Sequence, residues 1–159
     1  MKSKIISLSD LTSILPKLKK LNKVTILATG VFDFLHQEHK KFLNQAKKQG
    51  DILLVGLESD QRVSQLKGKN RPLNNLQARL KNLAKWGIAD YIFPLPQKFN
   101  TSKDHQKLIS QLRPHILAVS SNTPNLPAKR QLIEKYNGKI KIVLKHNPNI
   151  STTKIIKTK

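Results

Sequence analysis

Short apolar segments alternate along this chain with longer amphipathic ones, and this alternation limits the possible folds more than any other feature. Apolar, often β-branched stretches predict buried strands at residues 24–29, 51–58, 90–93, 115–119 and 139–144. Apolar residues at helical spacing predict helices at 9–21, 37–49, 75–85, 104–112, 127–136 and 151–157. Pro16 should shorten or kink the first of these helices. Since most strands are apolar on both faces, the sequence predicts an α/β fold with a parallel sheet and helices on both faces.

The length and the composition are those of one globular domain. No linker or repeat divides residues 1–159, so we expect a single domain. The chain has no cysteine, which excludes a disulfide framework, a cysteine-ligated metal site and a cysteine nucleophile. No apolar run approaches the roughly 20 residues that cross a bilayer, and the N-terminus lacks an apolar signal core. We therefore expect a cytoplasmic protein that does not associate with a membrane.

The charge is strongly positive, with 30 Lys and Arg against nine Asp and Glu and a net charge of +21. Such a surface attracts nucleic acids, anionic lipids and phosphorylated small molecules. Few of the cations are arginines, the residue that binds bases and phosphates bidentately, and the lysines are spread along the whole chain. We interpret the charge mainly as a lysine-rich solvated surface. A nucleic-acid-binding module is the less favoured alternative.

The segment after the first predicted strand combines a glycine turn, a helix start and two histidines. Gly30 allows a sharp turn and a close approach of the backbone to a ligand, and free N–H groups at the following helix start suit phosphate. His36 and His39 are three residues apart, so they face the same way on a first helical turn. Two imidazoles placed in this way could stabilise the charge that develops on a phosphate chain during transfer. The alternative is that both are polar surface groups.

This segment carries a family resemblance. Residues 29–39 read TGVFDFLHQEH and resemble the T-G-x-F-D-x-L-H-x-G-H signature of the cytidylyltransferase-like nucleotidyltransferases. Residues 150–156 read ISTTKII and are similar to the family's I-S-S/T-T-x-I element. The likeness covers nearly the whole chain and is greatest to the adenylyltransferase domain of ADP-heptose synthase. It implies a Rossmann-like fold of the nucleotidyltransferase type and the transfer of a nucleotidyl group, with release of pyrophosphate.

The resemblance also implies substrates and site residues. ATP or CTP would be the donor, with Mg²⁺ bound through the triphosphate, and the acceptor would be a phosphorylated small molecule such as a sugar phosphate. His36 and His39 would be catalytic and would stabilise the α-phosphate. The nucleotide would be bound by Thr29, Gly30, Val31, Phe32, Asp33, Arg79, Ser151, Thr152 and Thr153. The substrate contacts would be Lys67, Arg71, Ser121 and Asn122. Family members often form homodimers, so a second copy of the chain is a possible partner.

Three departures from the family pattern leave two hypotheses open. Glu38 replaces the glycine between the two histidines, and its carboxylate could repel a triphosphate or turn outward to pair with Lys40 or Lys41. Residues 119–123 lack the acidic and aromatic element that helps relatives recognise the acceptor and the nucleoside. Residues 87–93 lack the arginine that is found in the cytidylyl branch. The absence of this arginine favours ATP over CTP as the donor. The chain is thus predicted to be an active nucleotidyltransferase or, alternatively, a family member that binds nucleotide without transferring it.

Overall fold

The computed structural model of the protein describes residues 2–149, and in this part of the chain six strands form one parallel sheet. The strands are β1 (Lys4–Ile5), β2 (Thr25–Gly30), β3 (Ile52–Leu57), β4 (Tyr91–Pro94), β5 (Ile116–Ser120) and β6 (Lys139–Leu144). The helices are α1 (Leu8–Lys20), α2 (Gln37–Lys47), α3 (Asp60–Lys67), α4 (Leu76–Ala84), α5 (Ser102–Leu112) and α6 (Leu126–Lys135). The strand order is β1-β4-β3-β2-β5-β6.

Each face of the sheet has its own apolar core. The core on one face joins α1, α5 and α6 to residues such as Leu54 and Leu117, and the core on the other joins α2 and α4 to residues such as Leu53 and Val55. Successive residues of β3 therefore point into opposite cores, which explains why this strand has no polar face. The predicted α/β, Rossmann-like fold with helices on both faces is confirmed.

The topology creates a crevice beside β2. From β2 the chain moves to β3 and then β4 on one side, and later returns to place β5 and β6 on the other side. The order of the strands therefore reverses between β2 and β5. In open parallel sheets, ligands bind beyond the carboxyl ends of the strands at such a reversal.

The elements differ from the predicted ones mainly at their ends. The first helix is not shortened at Pro16 as predicted but continues to Lys20. Leu11 and Leu15 hold it by packing into the core, and the exposed Pro16 faces away from the core. Two elements, β1 and α3, were not predicted. The predicted helix at 151–157 lies outside the described residues. Across residues 2–149, no helix is long and apolar enough to cross a membrane.

Candidate functional site

A cleft of about 1210 Å³ lies over the carboxyl ends of the strands, beside the reversal of strand order. Most of the predicted site residues in the described part of the chain line it: Thr29, Gly30, Val31, Phe32, Asp33, His36, His39, Lys67, Arg71 and Asn122. Arg79 and Ser121 do not line it. Ser151, Thr152 and Thr153 lie outside the described residues. The structure thus gathers into one cleft residues that are separated by more than 90 positions in the sequence.

The two histidines lie against each other at the start of α2. His36 is the N-cap residue of this helix, and its backbone N–H donates to Nδ1 of His39 over 3.4 Å. Their rings stack with centroids 3.9 Å apart and planes inclined by 22°. Phe32, whose backbone has a positive φ of 51°, packs its ring 5.2 Å from that of His39. The turn after β2 and the helix start therefore hold both imidazoles in one arrangement.

The surroundings of both imidazoles disfavour their charged forms. Burial, followed by the nearby His36 and Lys67, lowers the pKa of His39 to about 3. Burial also lowers the pKa of His36, against the opposing charge of Glu38. Nδ1 of His36 is buried and has no hydrogen-bond partner among the described residues. Since Nδ1 of His39 accepts a hydrogen bond, the proton of this ring is on Nε2, which can donate to a ligand.

Asp33 fixes a distant loop. Its buried carboxylate accepts hydrogen bonds from Nε of Arg71 (2.9 Å) and from the backbone N–H groups of Leu73 (2.8 Å) and Asn74 (2.9 Å). Burial alone raises the pKa of Asp33, but the donors at Leu73, Asn74 and Arg71 outweigh it and hold the pKa below its usual value. The carboxylate is therefore occupied in holding residues 71–74 against the loop after β2.

Arg79 joins three segments that border the cleft, and its side chain has no exposed surface. Its guanidinium donates to the carbonyl oxygens of Asn74 (3.0 Å), Val31 (3.0 Å) and Glu58 (2.8 Å) and to the Asp60 carboxylate (2.6 Å). These bonds tie the loop after β2 to the end of β3 and to the start of α3. Arg79 thus fixes the segments that border the cleft without lining the cleft itself.

Glu58 is a cleft residue that the sequence analysis missed. It directly follows β3, and its Oε2 is buried without a hydrogen-bond partner among the described residues. Burial raises the pKa of Glu58 to about 7, while Arg62 and Arg79 act in the opposite direction. An acidic residue immediately after an apolar strand, at the edge where ligands bind, is the sequence signal that could have found it.

Glu38 both pairs with a lysine and lines the cleft, so each of the two alternatives considered for it holds in part. Its carboxylate pairs with Nζ of Lys41 over 3.4 Å, yet its side chain is only 14% exposed and lines the cleft near the two histidines. A negative charge therefore remains at the position where the family signature has glycine. This charge is partly balanced by Lys41.

The loop after β5 is held partly away from the cleft. The hydroxyl of Ser121 accepts a hydrogen bond from the backbone N–H of His146 (2.7 Å), and the backbone N–H of Ser121 donates to the carbonyl oxygen of Leu144 (3.0 Å). Asn122 lines the cleft, and its Oδ1 is within hydrogen-bond distance of the Ser120 hydroxyl. In this loop the side chain of Asn122, rather than that of Ser121, is placed to reach a ligand.

The far end of the cleft lies between α5 and α6. The ring of His105 packs against the buried ring of Phe99, with centroids 4.1 Å apart and planes inclined by 38°. Nζ of Lys129 donates to the hydroxyl of Thr123 over 2.6 Å. The sequence analysis gave neither His105 nor Lys129 a role, because only the tertiary fold brings α5 and α6 together at the cleft.

Within residues 2–149, no group of three or more His, Asp and Glu side chains could hold a metal ion.

Comparison with known proteins gives a consistent result. The model of the family described as cytidylyltransferase-like matches residues 27–158. The bifunctional protein HldE of Pelobacter propionicus is 36% identical over 142 residues, which are 89% of this chain and 28% of that protein. HldE of Pseudomonas fluorescens strain Pf-5 is 32% identical over 96% of this chain and 31% of that protein. The chain therefore spans less than a third of the length of these curated relatives.

Solved structures show the same fold. A lipopolysaccharide core biosynthesis protein from Thermoplasma volcanium superposes with a TM-score of 0.61 and 25% identity, covering 79% of this chain and 97% of that one. Pantoate-β-alanine ligase from Francisella tularensis gives a TM-score of 0.68 over 97% of this chain and 76% of that one. At 17% identity the second likeness concerns the fold alone.

Proposed function

The chain belongs to the cytidylyltransferase-like family, and we propose that it transfers AMP from ATP to a phosphorylated acceptor such as a sugar phosphate, with release of pyrophosphate. The family resemblance read from the sequence is confirmed by the match over residues 27–158. The observation that carries the proposal is the pair of stacked imidazoles at the start of α2, facing a cleft large enough for two substrates. The choice of ATP over CTP rests on the missing arginine in residues 87–93.

The reaction requires positioning and charge stabilisation more than proton transfer. An oxygen of the acceptor phosphate attacks the α-phosphorus of ATP, and the bond from this phosphorus to the oxygen that bridges it to the β-phosphate breaks as pyrophosphate leaves. The acceptor phosphate is already anionic, so it needs no protein base. Nε2–H of His39 would donate to an α-phosphate oxygen, where negative charge increases in the transition state. Donors placed in this way contribute about 3–4 kcal/mol each.

Each of the other cleft residues supports this arrangement in its own way. The loop after β2 would supply backbone donors to the triphosphate through Gly30, Val31 and Phe32. Lys67 is close enough to His39 to lower its pKa, so its ammonium would be near the reacting phosphates. We assign Arg79 a positioning role, because its buried donors are all directed at the protein. Ser151, Thr152 and Thr153 remain proposed contacts to the β- and γ-phosphates.

Magnesium would enter the cleft with the triphosphate. When bound, it supplies positive charge to the β- and γ-phosphates and so makes pyrophosphate a better leaving group. A substrate-borne ion fits the described residues, since the Asp33 carboxylate is held by three donors of the protein and no three-ligand cluster occurs there.

Glu38 favours a second candidate function, a protein that binds nucleotide without transferring it. The shielded carboxylate lies near His36, where it would face the negative charge of a triphosphate. Such a protein would bind ATP and release no pyrophosphate with any acceptor.

An assay of pyrophosphate release tests the proposal. The chain is incubated with Mg²⁺, with ATP or CTP, and with a panel of sugar phosphates and other phosphate monoesters. We expect release with ATP and at least one acceptor, and its loss in His39→Ala. A folded chain that binds ATP but releases no pyrophosphate across the panel would instead support the binding protein. A folded chain that binds no nucleotide would exclude both functions.

A further inference from the structure

A second group of basic side chains lines the cleft, apart from the histidine pair. We call Arg62 of α3, His105 of α5 and Lys129 of α6 the distal cluster; all three side chains line the cleft. The charges of Lys129 and Arg62 are near enough to His105 to lower its pKa, in addition to the larger effect of burial. The helices α5 and α6 pack on one face of the sheet and α2 on the other. His105 and Lys129 therefore approach the cleft from the face of the sheet opposite to the histidine pair.

Lys129 is the central member of the distal cluster. Its ammonium is half-buried, donates to the neutral hydroxyl of Thr123, and has a pKa that burial lowers. In the part of the chain that the structure describes, no carboxylate lies within ion-pair distance of this ammonium. Charged groups withdrawn from water are usually paired. An ammonium that is half-buried without a carboxylate is therefore suited to bind an anion from outside the protein.

Arg62 provides a second donor that the described residues do not use. Its Nε is buried and has no hydrogen-bond partner among them, while one terminal nitrogen donates to Oε1 of Gln65 over 3.4 Å. The acidic neighbour of Arg62 is Glu58, which burial keeps partly protonated near neutral pH.

The acidic neighbour of His105 is also committed elsewhere. The carboxylate of Asp104 accepts hydrogen bonds from the backbone N–H groups of Asn100 (3.1 Å) and Thr101 (3.0 Å), which cap the start of α5. This carboxylate acts on the pKa of His105 more weakly than Lys129 does. The distal cluster therefore presents a net positive surface to the cleft.

We propose that the distal cluster binds an anionic group, a phosphate or a carboxylate, at the end of the acceptor away from its reacting phosphate. The inference rests on the proposed function, in which the reacting phosphates lie at the histidine pair. Because His105 and Lys129 reach the cleft from the face of the sheet opposite to α2, we assign the reacting phosphate and the second anionic group to different parts of the cleft. The cleft is also lined by apolar residues such as Leu108 and Leu132, beside which the carbon skeleton of an acceptor would lie. The acceptor class is thus a phosphate monoester with a second anionic group.

Imidazole NMR with inorganic phosphate as the probe tests this assignment. The ring nitrogens of His105 serve as the reporter, and phosphate is titrated into the full chain with and without saturating Mg²⁺–ATP. We expect phosphate to shift the His105 signals at millimolar concentration and to do so equally when ATP is bound. Lys129→Met should weaken this binding at least tenfold, whereas Lys129→Arg, which keeps the charge, should stay within about threefold.

Lys103→Met is the matched control, because it removes the same charge from the first turn of α5 at a side chain that does not line the cleft. It should leave the phosphate affinity within about twofold, since an exposed charge is largely screened. If Lys129→Met does not fold, Thr123→Val removes only the hydroxyl that holds Lys129 and should weaken phosphate binding severalfold. In the pyrophosphate assay, Lys129→Met should raise KM for acceptors with a second anionic group and leave KM for ATP unchanged.

The assignment is overturned if phosphate leaves the His105 signals unchanged, if Lys129→Met and Lys103→Met lower the affinity equally, or if ATP displaces the phosphate. The proposed function has its own readout, since ATP should shift the signals of His36 and His39. Shifts of His36 and His39 by ATP without a response of His105 to phosphate would overturn the distal cluster alone. The opposite pattern would overturn nucleotide binding and leave an anion site.

Discussion

Two carboxylates that follow neighbouring strands of the sheet, Asp33 after β2 and Glu58 after β3, line the cleft in contrasting surroundings. Asp33, in the loop after β2, accepts hydrogen bonds from Arg71, Leu73 and Asn74, and these lower its pKa. Glu58, directly after β3, has a buried oxygen without a partner among the described residues, and burial raises its pKa to about 7. The comparison shows that hydrogen bonds, more than depth of burial, decide which acid is a fixed structural charge and which can respond to a ligand.

The two acids also give stability opposite dependences on pH. The folded-state pKa of Asp33 is below its unfolded value, so its contribution is present above the unfolded value and is lost as pH falls through the folded one. The folded-state pKa of Glu58 is above its unfolded value, so the free energy of unfolding decreases as pH rises from about 4.5 to about 7.

Asp33→Asn should have the largest effect on stability. The amide cannot accept from all three donors, and its NH₂ group faces at least one of them, which leaves buried donors unpaired. We expect a loss of about 2–4 kcal/mol in the free energy of unfolding at pH 7, measured by urea denaturation. Asp10→Asn, at an exposed position of α1, is the control and should change the value by less than about 0.5 kcal/mol.

This variant also distinguishes a structural carboxylate from a magnesium ligand. If Asp33→Asn kept its full stability but lost affinity for Mg²⁺–ATP, Asp33 would contact the metal or the phosphates. Asp33 would then respond to a ligand, as we expect of Glu58, and would not be a fixed structural charge.

Glu58→Gln should have an intermediate effect on the free energy of unfolding. Above pH 7 this effect should be a gain in stability, whereas Asp33→Asn loses stability. The rise of the pKa of Glu58 from 4.5 to about 7 corresponds to about 1–2 kcal/mol, after allowance for screening by water at this partly exposed side chain. Above pH 7 the variant should be more stable than the parent chain by this amount, and below pH 4.5 the difference should disappear. Urea denaturation from pH 4 to pH 8.5 measures it.

Glu134→Gln, at an exposed position of α6, is the control for Glu58→Gln and should leave the pH profile unchanged. Equal curves for the parent and Glu58→Gln across this range would show that Glu58 has an ordinary pKa.

Glu38 is the third acid of the cleft and should have the smallest effect. Because Lys41 already balances part of its charge, we expect Glu38→Gly to raise the rate of pyrophosphate release less than tenfold, mainly through a lower KM for ATP. Glu38→Gln separates the causes: a similar gain would indicate charge, and a gain only in Glu38→Gly would indicate crowding. A decrease in rate in both variants would show that the carboxylate assists the reaction.

The sequence predicts those features whose residues lie close together in it. Strands such as β2 and β3 could be placed because their residues are apolar on both faces. The histidine pair could be placed because the segment that carries it, residues 29–39, is continuous. The helix α3 was missed because Val63 is its one buried residue, which leaves no apolar stripe. The Asp33 carboxylate accepts hydrogen bonds from donors about 40 positions away in the sequence. His105 comes near the charge of Lys129 only because α5 and α6 pack together. Such contacts arise from the tertiary fold and leave no local pattern.

The stacked imidazoles are the centre of this account, and the most direct test compares catalysis with binding in His39→Ala. The dissociation constant of Mg²⁺–ATP is measured by calorimetry, and kcat by pyrophosphate release with an acceptor that the parent chain uses. We expect kcat to fall by about 10²–10³ while the dissociation constant stays within about threefold, because the His39 donor acts mainly on charge that develops in the transition state. An unchanged kcat in a folded His39→Ala variant would contradict the assignment of His39 to the reacting phosphate.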